Sequence, residues 1–267
     1  NSKFKIKGDS AKEYPQIPDV NEDKLYSIPQ DVLKSMIKQT VFATSQDQTK
    51  PILMGELLEI ENGNINLVAI DGYRFAVRSC QVDNLIHEDL KAKIIIPGKT
   101  LIDVNSLLSS EEEVKVGFNE KNAIFIINDT KIVTRLLEGE FIDYKKLCPR
   151  EYNSKIKLKT KDLLNSIERA SLLSQSEQNN LIKLSIRDSM MAITSNNEKG
   201  NVYEEVALSL EGDYLDIAFN SRYLLEGLKN IDCEEIYIEF TTNVNPCIIK
   251  PADGTIYILT FTSKNIF

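Results

Sequence analysis

The chain has 267 residues, 42% of them hydrophobic, which is enough for two medium-sized domains that each bury their own core. Its net charge of −8 argues against a simple nucleic-acid-binding module, which usually carries a basic footprint, although an acidic average can hide a local field of the opposite sign. No apolar run approaches the roughly 20 residues that a membrane-spanning helix needs.

The four cysteines are scattered along the chain, with no C-x-x-C pair and only one histidine beside them. This pattern predicts neither a zinc site nor a disulfide framework, and it fits the reducing cytoplasm. We therefore expect a cytoplasmic protein that holds no metal and no cofactor.

The first 23 residues contain a short pattern that returns later in the chain. Lys5-Ile6-Lys7-Gly8, followed by Glu13-Tyr14-Pro15, is similar to the segment that begins at Arg135 and ends at Ile142. That later segment follows a run of strands and closes a structural unit. We interpret residues 1–23 as the closing strand and linker of a first domain that is otherwise missing from this chain.

Three further matches indicate that the rest of the chain is an internal duplication. Residues 29–38 resemble residues 160–169, with apolar positions at helical spacing in both. Residues 96–102 resemble 219–225, and residues 112–118 resemble 234–240, in the same order and at similar offsets. We predict a central domain over 24–151 and a second copy over 152–267.

Each copy combines helices with short β-branched runs whose period of two predicts antiparallel strands with one buried face. Examples are Val114–Val116, Ile124–Ile127, Ile236–Ile238 and Ile256–Leu259. Asn62-Gly63 and Asp71-Gly72 lie between such runs and fit tight hairpin turns. The predicted class is α+β, with about eight strands and two helices per copy, the four helices falling at 28–43, 98–109, 160–175 and 220–231.

Three segments carry a resemblance to a known family. They are L-V-A-I-D-G-Y-R-F-A-V from Leu67, R-L-L-E-G-E-F-I-D-Y from Arg135 and F-N-S-R-Y-L-L from Phe219. They are similar to the A-T-D-G-[HY]-R-L-A, L-x-[DE]-G-x-[FY]-P-D-Y and F-N-x-x-Y-L-L segments of bacterial DNA polymerase III beta subunits, the replication sliding clamps. The segments occur in family order, so the resemblance covers almost the whole chain.

The resemblance implies tandem DNA-clamp domains, three per subunit, in a head-to-tail homodimer that closes a ring around duplex DNA. Sheets would lie outside and helices would line the hole. The protein would be a non-catalytic processivity factor of the DNA-directed DNA polymerase, bound through short peptide motifs by the polymerase alpha subunit, the clamp loader and repair polymerases. Because the ring closes the first domain against the third, this chain alone should not form it.

The charge pattern offers a test of the ring. The four predicted helices hold seven basic and five acidic residues, a balance of +2, which leaves −10 for the remaining chain. Such a lining suits loose, sequence-independent contact with phosphates, although these helix faces could equally be ordinary solvated surfaces. The candidate DNA-facing residues are Lys34, Lys38, Lys50, Lys99, Lys161, Arg169, Arg222 and Lys229.

The resemblance also implies a groove between the central and C-terminal copies for partner peptides that carry a glutamine and a terminal leucine–phenylalanine pair. The central copy would supply Leu53, Ile70, Gly72, Tyr73, Arg74 and Phe75, and the linker Ile142, Lys146 and Leu147. The C-terminal copy would add Asn220, Tyr223, Val244, Pro246, Ile258, Leu259, Thr260, Phe261 and Thr262.

Aliphatic walls would accept the apolar side chains, while Asn220, Tyr223 and Arg74 would fix the peptide backbone. Leu53, Phe75 and Leu147 could instead be plain core. Where the family has M/L-P-x-R, this chain has Leu259-Thr260-Phe261-Thr262, and its linker proline is Ile142, so we expect an altered peptide preference.

Two other classes of function compete with the clamp. An enzyme would need a catalytic constellation, and the sequence has no G-x-S-x-G, Walker or H-E-x-x-H motif. A repeat-built protein-interaction scaffold without DNA encirclement is the alternative function, and the charge pattern argues mildly against it.

Overall fold

The computed structural model describes residues 2–14, 25–82, 91–109, 112–149, 151–174, 180–198, 200–252 and 256–260, the last five by their backbone. The four helices lie close to the predicted positions: α1 spans Gln30–Thr40, α2 Gly98–Leu107, α3 Thr160–Ser174 and α4 Ser221–Leu228. Short 3-10 helices occupy Ala11–Glu13, Val41–Ala43, Pro51–Met54 and Tyr144–Lys146.

Among the described residues, the first copy contains eight strands. They are β1 Tyr26–Pro29, β2 Gly55–Glu61, β3 Asn64–Ile70, β4 Arg74–Gln81, β5 Lys91–Pro97, β6 Glu113–Phe118, β7 Asn122–Ile127 and β8 Thr130–Arg135. The described part of the second copy contains nine: β9 Ser154–Lys159, β10 Leu181–Arg187, β11 Met190–Asn197, β12 Gly200–Ala207, β13 Ser209–Gly212, β14 Leu215–Asn220, β15 Glu235–Phe240, β16 Cys247–Pro251 and β17 Ile256–Thr260. The α+β class and the predicted strands are confirmed.

The duplication is visible in the strand pairing. The order β1-β6-β7-β8 in one antiparallel sheet corresponds to β9-β15-β16-β17, and β4-β3-β2-β5 corresponds to β12-β11-β10-β14. In each copy a strand leads directly into a helix, as β1 leads into α1 and β9 into α3. Asn62 and Gly63 both have positive φ, +52° and +78°, and form the predicted hairpin turn between β2 and β3.

Each copy has a core between its helices and its sheets. In the first copy Met36 and Ile37 of α1 pack with Leu101 of α2 and with inward residues of β2, β3, β6 and β7. In the second, Leu163 and Ile167 of α3 pack with Leu224 of α4 and with the inward faces of its own strands. Burial of these helical faces explains why apolar spacing located the helices.

The two copies are joined by one continuous sheet. β17 pairs antiparallel with β4, which unites their strands in a nine-stranded sheet of order β13-β9-β15-β16-β17-β4-β3-β2-β5. A third apolar cluster covers this junction, where Phe141 and Tyr144 of the linker pack on Phe75 and Val77 of β4 and on Ile248 of β16. The junction is therefore built from main-chain bonds and a buried core together.

Residues 2–12 and Tyr14 are exposed, and apart from the 3-10 turn at Ala11–Glu13 this segment lacks regular structure. The strand expected at Lys5–Gly8 is therefore not formed, because no described strand lies alongside to share its main-chain hydrogen bonds. Across the described ranges, no helix is both long and apolar enough to cross a membrane. Cys247 is buried, and Cys80, Cys148 and Cys233 are half-buried.

Candidate functional site

The turn between β3 and β4 forms one side of the predicted groove. Oδ1 of Asp71 accepts hydrogen bonds from the backbone N–H of Tyr73 at 2.8 Å and of Arg74 at 3.0 Å. Gly72 has φ +96°, a conformation that side-chain-bearing residues rarely adopt. These features fix the turn and make Tyr73 project from it, 62% exposed.

Arg74 is only 3% exposed, and its guanidinium ties the two copies together. It donates to Oδ2 of Asp71 at 3.1 Å, to the carbonyl of Phe42 at 2.9 Å and to Oε2 of Glu226 on α4 at 2.5 Å. Burial acts to raise the pKa of Glu226, but hydrogen bonds from Arg222 and Arg74 outweigh it and hold that pKa below its usual value. With a further contact from Nη1 to the Tyr223 carbonyl at 3.4 Å, four of the five Arg74 N–H donors bond within the protein, and its role in fixing a peptide backbone stays a prediction.

Tyr73 and Tyr223 bring the two copies into direct aromatic contact. Their rings stack with centroids 5.8 Å apart and planes 24° apart, and the Arg74 guanidinium lies 4.7 Å from the Tyr223 centroid. Burial, followed by the negative charge of Asp71, raises the pKa of the Tyr223 phenol, which therefore stays protonated at neutral pH. Asn220 caps α4 by accepting from the N–H of Arg222 at 3.0 Å, which fixes the helix that carries Tyr223.

Four of the large hydrophobic side chains that are exposed belong to the predicted groove. They are Tyr73 at 62%, Ile142 at 42%, Leu147 at 36% and Val244 at 60%. Leu147, Lys146 and Pro246 line one shallow depression of about 640 Å³ together with Cys148, Pro149, Glu151, Thr241 and Asn245. The linker and the β15–β16 loop therefore meet at the surface.

Three predicted wall residues lie beneath this surface. Leu53, Ile70 and Phe75 are 8%, 2% and 1% exposed and belong to the junction core. The burial of Leu53 and Phe75 favours core packing as their role. Leu147 is 36% exposed and is therefore not a core residue.

The C-terminal side of the groove is described only in part. Ile258, Leu259 and Thr260 form β17, with Leu259 opposite Phe75 and Thr260 opposite Arg74 in register. Phe261 and Thr262 lie outside the described residues, as do the side chains of β17.

Most of the candidate DNA-facing cations are engaged within the protein. Five of the eight bond to a carboxylate or a carbonyl: Lys34 to the Leu108 carbonyl at 2.7 Å, Lys38 to Asp232 at 3.1 Å, Arg169 to Glu204 at 2.6 Å, Arg222 to Glu226 at 2.7 Å and Lys229 to Glu168 at 2.8 Å. All but Lys34 are at least 47% exposed in their side chains. Such exposed pairs are weak, so they can exchange a carboxylate for a phosphate.

The other three candidates differ from one another. Lys99 near the start of α2 and Lys161 near the start of α3 are exposed and, among the described residues, make no ion pair. Lys50 lies beside the groove, because its Nζ is 3.9 Å from the position that a Cβ on Gly72 would take. The structure thus places Lys50 next to the Asp71–Arg74 turn.

Sequence reasoning missed four contributors to this region. Asp71 and Glu226 hold Arg74, Phe42 accepts from it through its carbonyl, and Cys148 lines the depression. The Asp71-Gly72 pattern predicted the turn, but it did not indicate the ion pair between Asp71 and Arg74. The role of Glu226 had no local signal beyond its helical spacing from Arg222. Within the described residues, no three His, Cys, Asp or Glu side chains converge to hold a metal ion.

Comparison with known proteins gives consistent similarities. Two family models match successive parts of the chain, DNA polymerase III beta subunit, central domain, over residues 27–143 and DNA polymerase III beta subunit, C-terminal domain, over residues 145–257. The beta sliding clamp of Staphylococcus epidermidis is 36% identical over 256 residues, which are 95% of this chain and 67% of that protein.

Solved structures give the same result. The DNA polymerase sliding clamp of Bacillus subtilis is similar with a TM-score of 0.92 at 35% identity, over 96% of this chain and 68% of that one. A putative DNA polymerase III beta subunit of Eubacterium rectale has a TM-score of 0.93 at 29% identity, over 98% of this chain and 71% of that one.

Proposed function

Because the chain belongs to the family of DNA polymerase III beta subunits, the beta sliding clamps, we propose that it acts as a cytoplasmic, non-catalytic processivity factor. Partner proteins bind through short peptides in the groove between its two copies, and the assembled ring tethers them to duplex DNA. The two copies act as the central domain, 24–151, and the C-terminal domain, 152–267.

One observation carries the groove. Exposed apolar side chains from the turn, the linker and the β15–β16 loop occur in the segments that meet at the junction of the two copies. Tyr73 and Tyr223 stack across that junction, and Arg74 beneath them is fixed by Asp71 and Glu226. A rigid apolar surface with few polar groups is what a short hydrophobic peptide motif requires, because little must reorganise on binding.

The edges of the sheets support the ring. In the described part of the chain, β8 and β12 each have a hydrogen-bonded neighbour on one side only. By the internal duplication β8 corresponds to β17 and β12 to β4, the two strands that join the copies. Each free edge therefore has the shape of one half of the existing junction, which suits addition of further clamp domains at both sides.

The proposed partners are those of the family, and the peptide preference is expected to differ from that of other members. The polymerase alpha subunit, the clamp loader and repair polymerases would compete for one groove. DNA contact would be made by the helices, with Lys99 and Lys161 available at once and the four exposed ion-paired cations available by exchange. Such weak contacts allow sliding.

A peptide titration tests the groove directly. A fluorescent peptide with the family's glutamine-to-phenylalanine pattern should bind saturably, and its alanine-substituted version should not. Tyr223→Ala should weaken binding at least about tenfold, since aromatic anchors dominate such sites. Tyr214→Ala serves as the matched control, because Tyr214 is 58% exposed and contacts Asp188 and Arg187 on another part of the second copy. Failure of a folded protein to bind the peptide would overturn the groove.

A protein-interaction scaffold without DNA encirclement is the second candidate. The ion pairs at Lys38, Arg169, Arg222 and Lys229 favour it, because they neutralise half of the proposed DNA-facing cations. Retention of a version carrying all three clamp domains on circular DNA, with release when the circle is cut, would exclude the scaffold. Peptide binding without any retention on the circle would support it.

A further inference from the structure

A series of ring contacts begins at the half-buried Phe42 and ends at the exposed Tyr73. The Arg74 guanidinium lies 5.2 Å from the Phe42 ring centroid and 4.7 Å from that of Tyr223. Tyr223 stacks on Tyr73, the last member of the series, which is 62% exposed. A flat aromatic surface is thus held open to solvent at the junction of the two copies.

The position of Tyr73 is fixed on both sides. Its backbone N–H is bound by Asp71, and its ring is held by Tyr223, whose helix is capped by Asn220 and pinned by the Arg74–Glu226 ion pair. Binding of a partner over this ring costs little conformational entropy of Tyr73, because the side chain already has its bound geometry. The exposed ring is therefore suited to recognition.

We infer that the uncovered surface of the Tyr73 ring receives an aromatic side chain of the partner peptide, and that Tyr73 is a specificity-determining residue of the groove. This inference rests on the proposed function and adds a partner position outside the leucine–phenylalanine pair. Offset stacking on Tyr73 would extend the existing series of ring contacts by one member.

Charge around the ring favours an aromatic group over arginine, the other planar side chain. Lys50, Arg74 and Arg222 lie around the turn and the Tyr223 ring, against the two carboxylates of Asp71 and Glu226. The carboxylates are already ion-paired with Arg74 and Arg222. An arginine of the partner would be repelled by these cations, and no unpaired carboxylate among them would offset the repulsion. An uncharged aromatic ring is not repelled.

A double-mutant cycle tests the inference. Each position that flanks the core of the peptide is replaced in turn by tryptophan or leucine, and binding is measured to the wild-type chain, to Tyr73→Leu and to Tyr73→His. Tyr73→Leu keeps an apolar side chain but removes the ring, and Tyr73→His keeps a planar ring of smaller size. Because Tyr73 is mostly exposed, all variants should unfold at the wild-type temperature, which is checked first.

At one flanking position tryptophan should bind the wild-type chain about 3- to 10-fold more tightly than leucine, as expected for one aromatic pair. Tyr73→Leu should abolish that preference, Tyr73→His should keep part of it, and Tyr214→Leu should leave it unchanged. Binding of the core peptide without a Tyr73-dependent preference at any position overturns the inference and leaves the groove standing. Absence of core binding to the wild-type chain overturns the proposed function and the inference with it.

Discussion

The hydroxyl of Thr40 on α1 lies 2.5 Å from Oε2 of Glu56 on β2, and both side chains are fully buried. The same hydroxyl lies 2.8 Å from the carbonyl oxygen of Met36. A hydroxyl has one proton, so Thr40 can donate to only one of these two oxygens at a time, and donation to Glu56 favours the ionised carboxylate. Burial raises the pKa of Glu56 to about 8, against the opposing effect of the Thr40 contact.

This raised pKa predicts that Glu56→Gln stabilises the protein in a pH-dependent way. The folded state binds the Glu56 proton up to about pH 8, while the unfolded chain releases it near the ordinary glutamate pKa of 4.5, so wild-type stability falls as pH rises between the two values. Glutamine has no proton to lose. Its advantage should grow across that window to about 5 kcal/mol and stay constant above it.

Urea unfolding at several pH values between 4 and 9 measures the difference. Glu61→Gln is the control, because Glu61 is exposed and its pKa is lowered by a hydrogen bond from Lys91. An advantage of Glu56→Gln that does not change with pH would show that the folded protein carries Glu56 ionised.

Removal of Arg74 should destabilise the junction strongly. Arg74→Ala leaves Asp71 and Glu226 without their buried counter-charge and is expected to lower the free energy of unfolding by about 3–5 kcal/mol. Arg222→Ala removes an exposed partner of the same Glu226 and should lower it by less than about 1 kcal/mol. Chemical denaturation measures the free energy of unfolding of both variants. Equal losses of that free energy would mean that Arg74 does not stabilise the junction more than Arg222 does.

Two glycines with nearly the same backbone conformation separate strain from steric clash. Gly212 has φ +97° and Gly72 has φ +96°, but a Cβ on Gly212 would lie 2.0 Å from the Asn153 carbonyl oxygen, whereas on Gly72 it would meet only Lys50 Nζ at 3.9 Å. Gly72→Ala should cost about 1 kcal/mol from conformation alone. Gly212→Ala should cost at least about 2 kcal/mol more, and unfolding curves that coincide would contradict the packing of β13 on Asn153.

Single substitutions on the helix faces should change DNA affinity according to their ion pairing. Lys161→Ala and Lys99→Ala remove cations without a described partner, and each should reduce the slope of log K against log salt by about 0.9 for duplex DNA. Lys38→Ala should reduce it less, because Asp232 already neutralises Lys38. Fluorescence anisotropy at low salt measures the slopes.

Lys157→Ala is the control for the DNA experiment, since Lys157 lies on β9 and pairs with Glu235 on the neighbouring strand of the large sheet. If Lys157→Ala changes the slope as much as Lys161→Ala, the contact is not specific to the helices. Unchanged slopes for Lys99→Ala and Lys161→Ala would remove both residues from the DNA-facing set.

Local patterns were sufficient to place the helices and most strands. Apolar spacing located α1, although the helix begins at Gln30 rather than at residue 28, because Ile28 and Pro29 pair with β6. The repeat predicted the equivalence of the two copies, because equivalent sequences form equivalent strand orders. Hairpin turns were found because few residues other than glycine and asparagine adopt their backbone conformation.

The groove was predictable only in outline, because its details depend on contacts between distant residues. Arg74 and Glu226 are 152 positions apart, and no sequence pattern near either residue indicates that the two form an ion pair. Burial of Leu53 and Phe75 depends on how the linker folds back over the sheet, which residue types alone do not determine. The stacking of Tyr73 on Tyr223 has the same origin.

The pairing of β17 with β4 uses main-chain groups, which every residue except proline possesses in full. Side chains of β4 that belong neither to the Arg74 ion pairs nor to the buried cluster can therefore be replaced without loss of these main-chain bonds, as long as proline is avoided there. Where a junction is this tolerant, the surface beside it is free to diverge and to suit local partners. A scaffold conserved in shape can in this way carry a binding surface that differs between lineages.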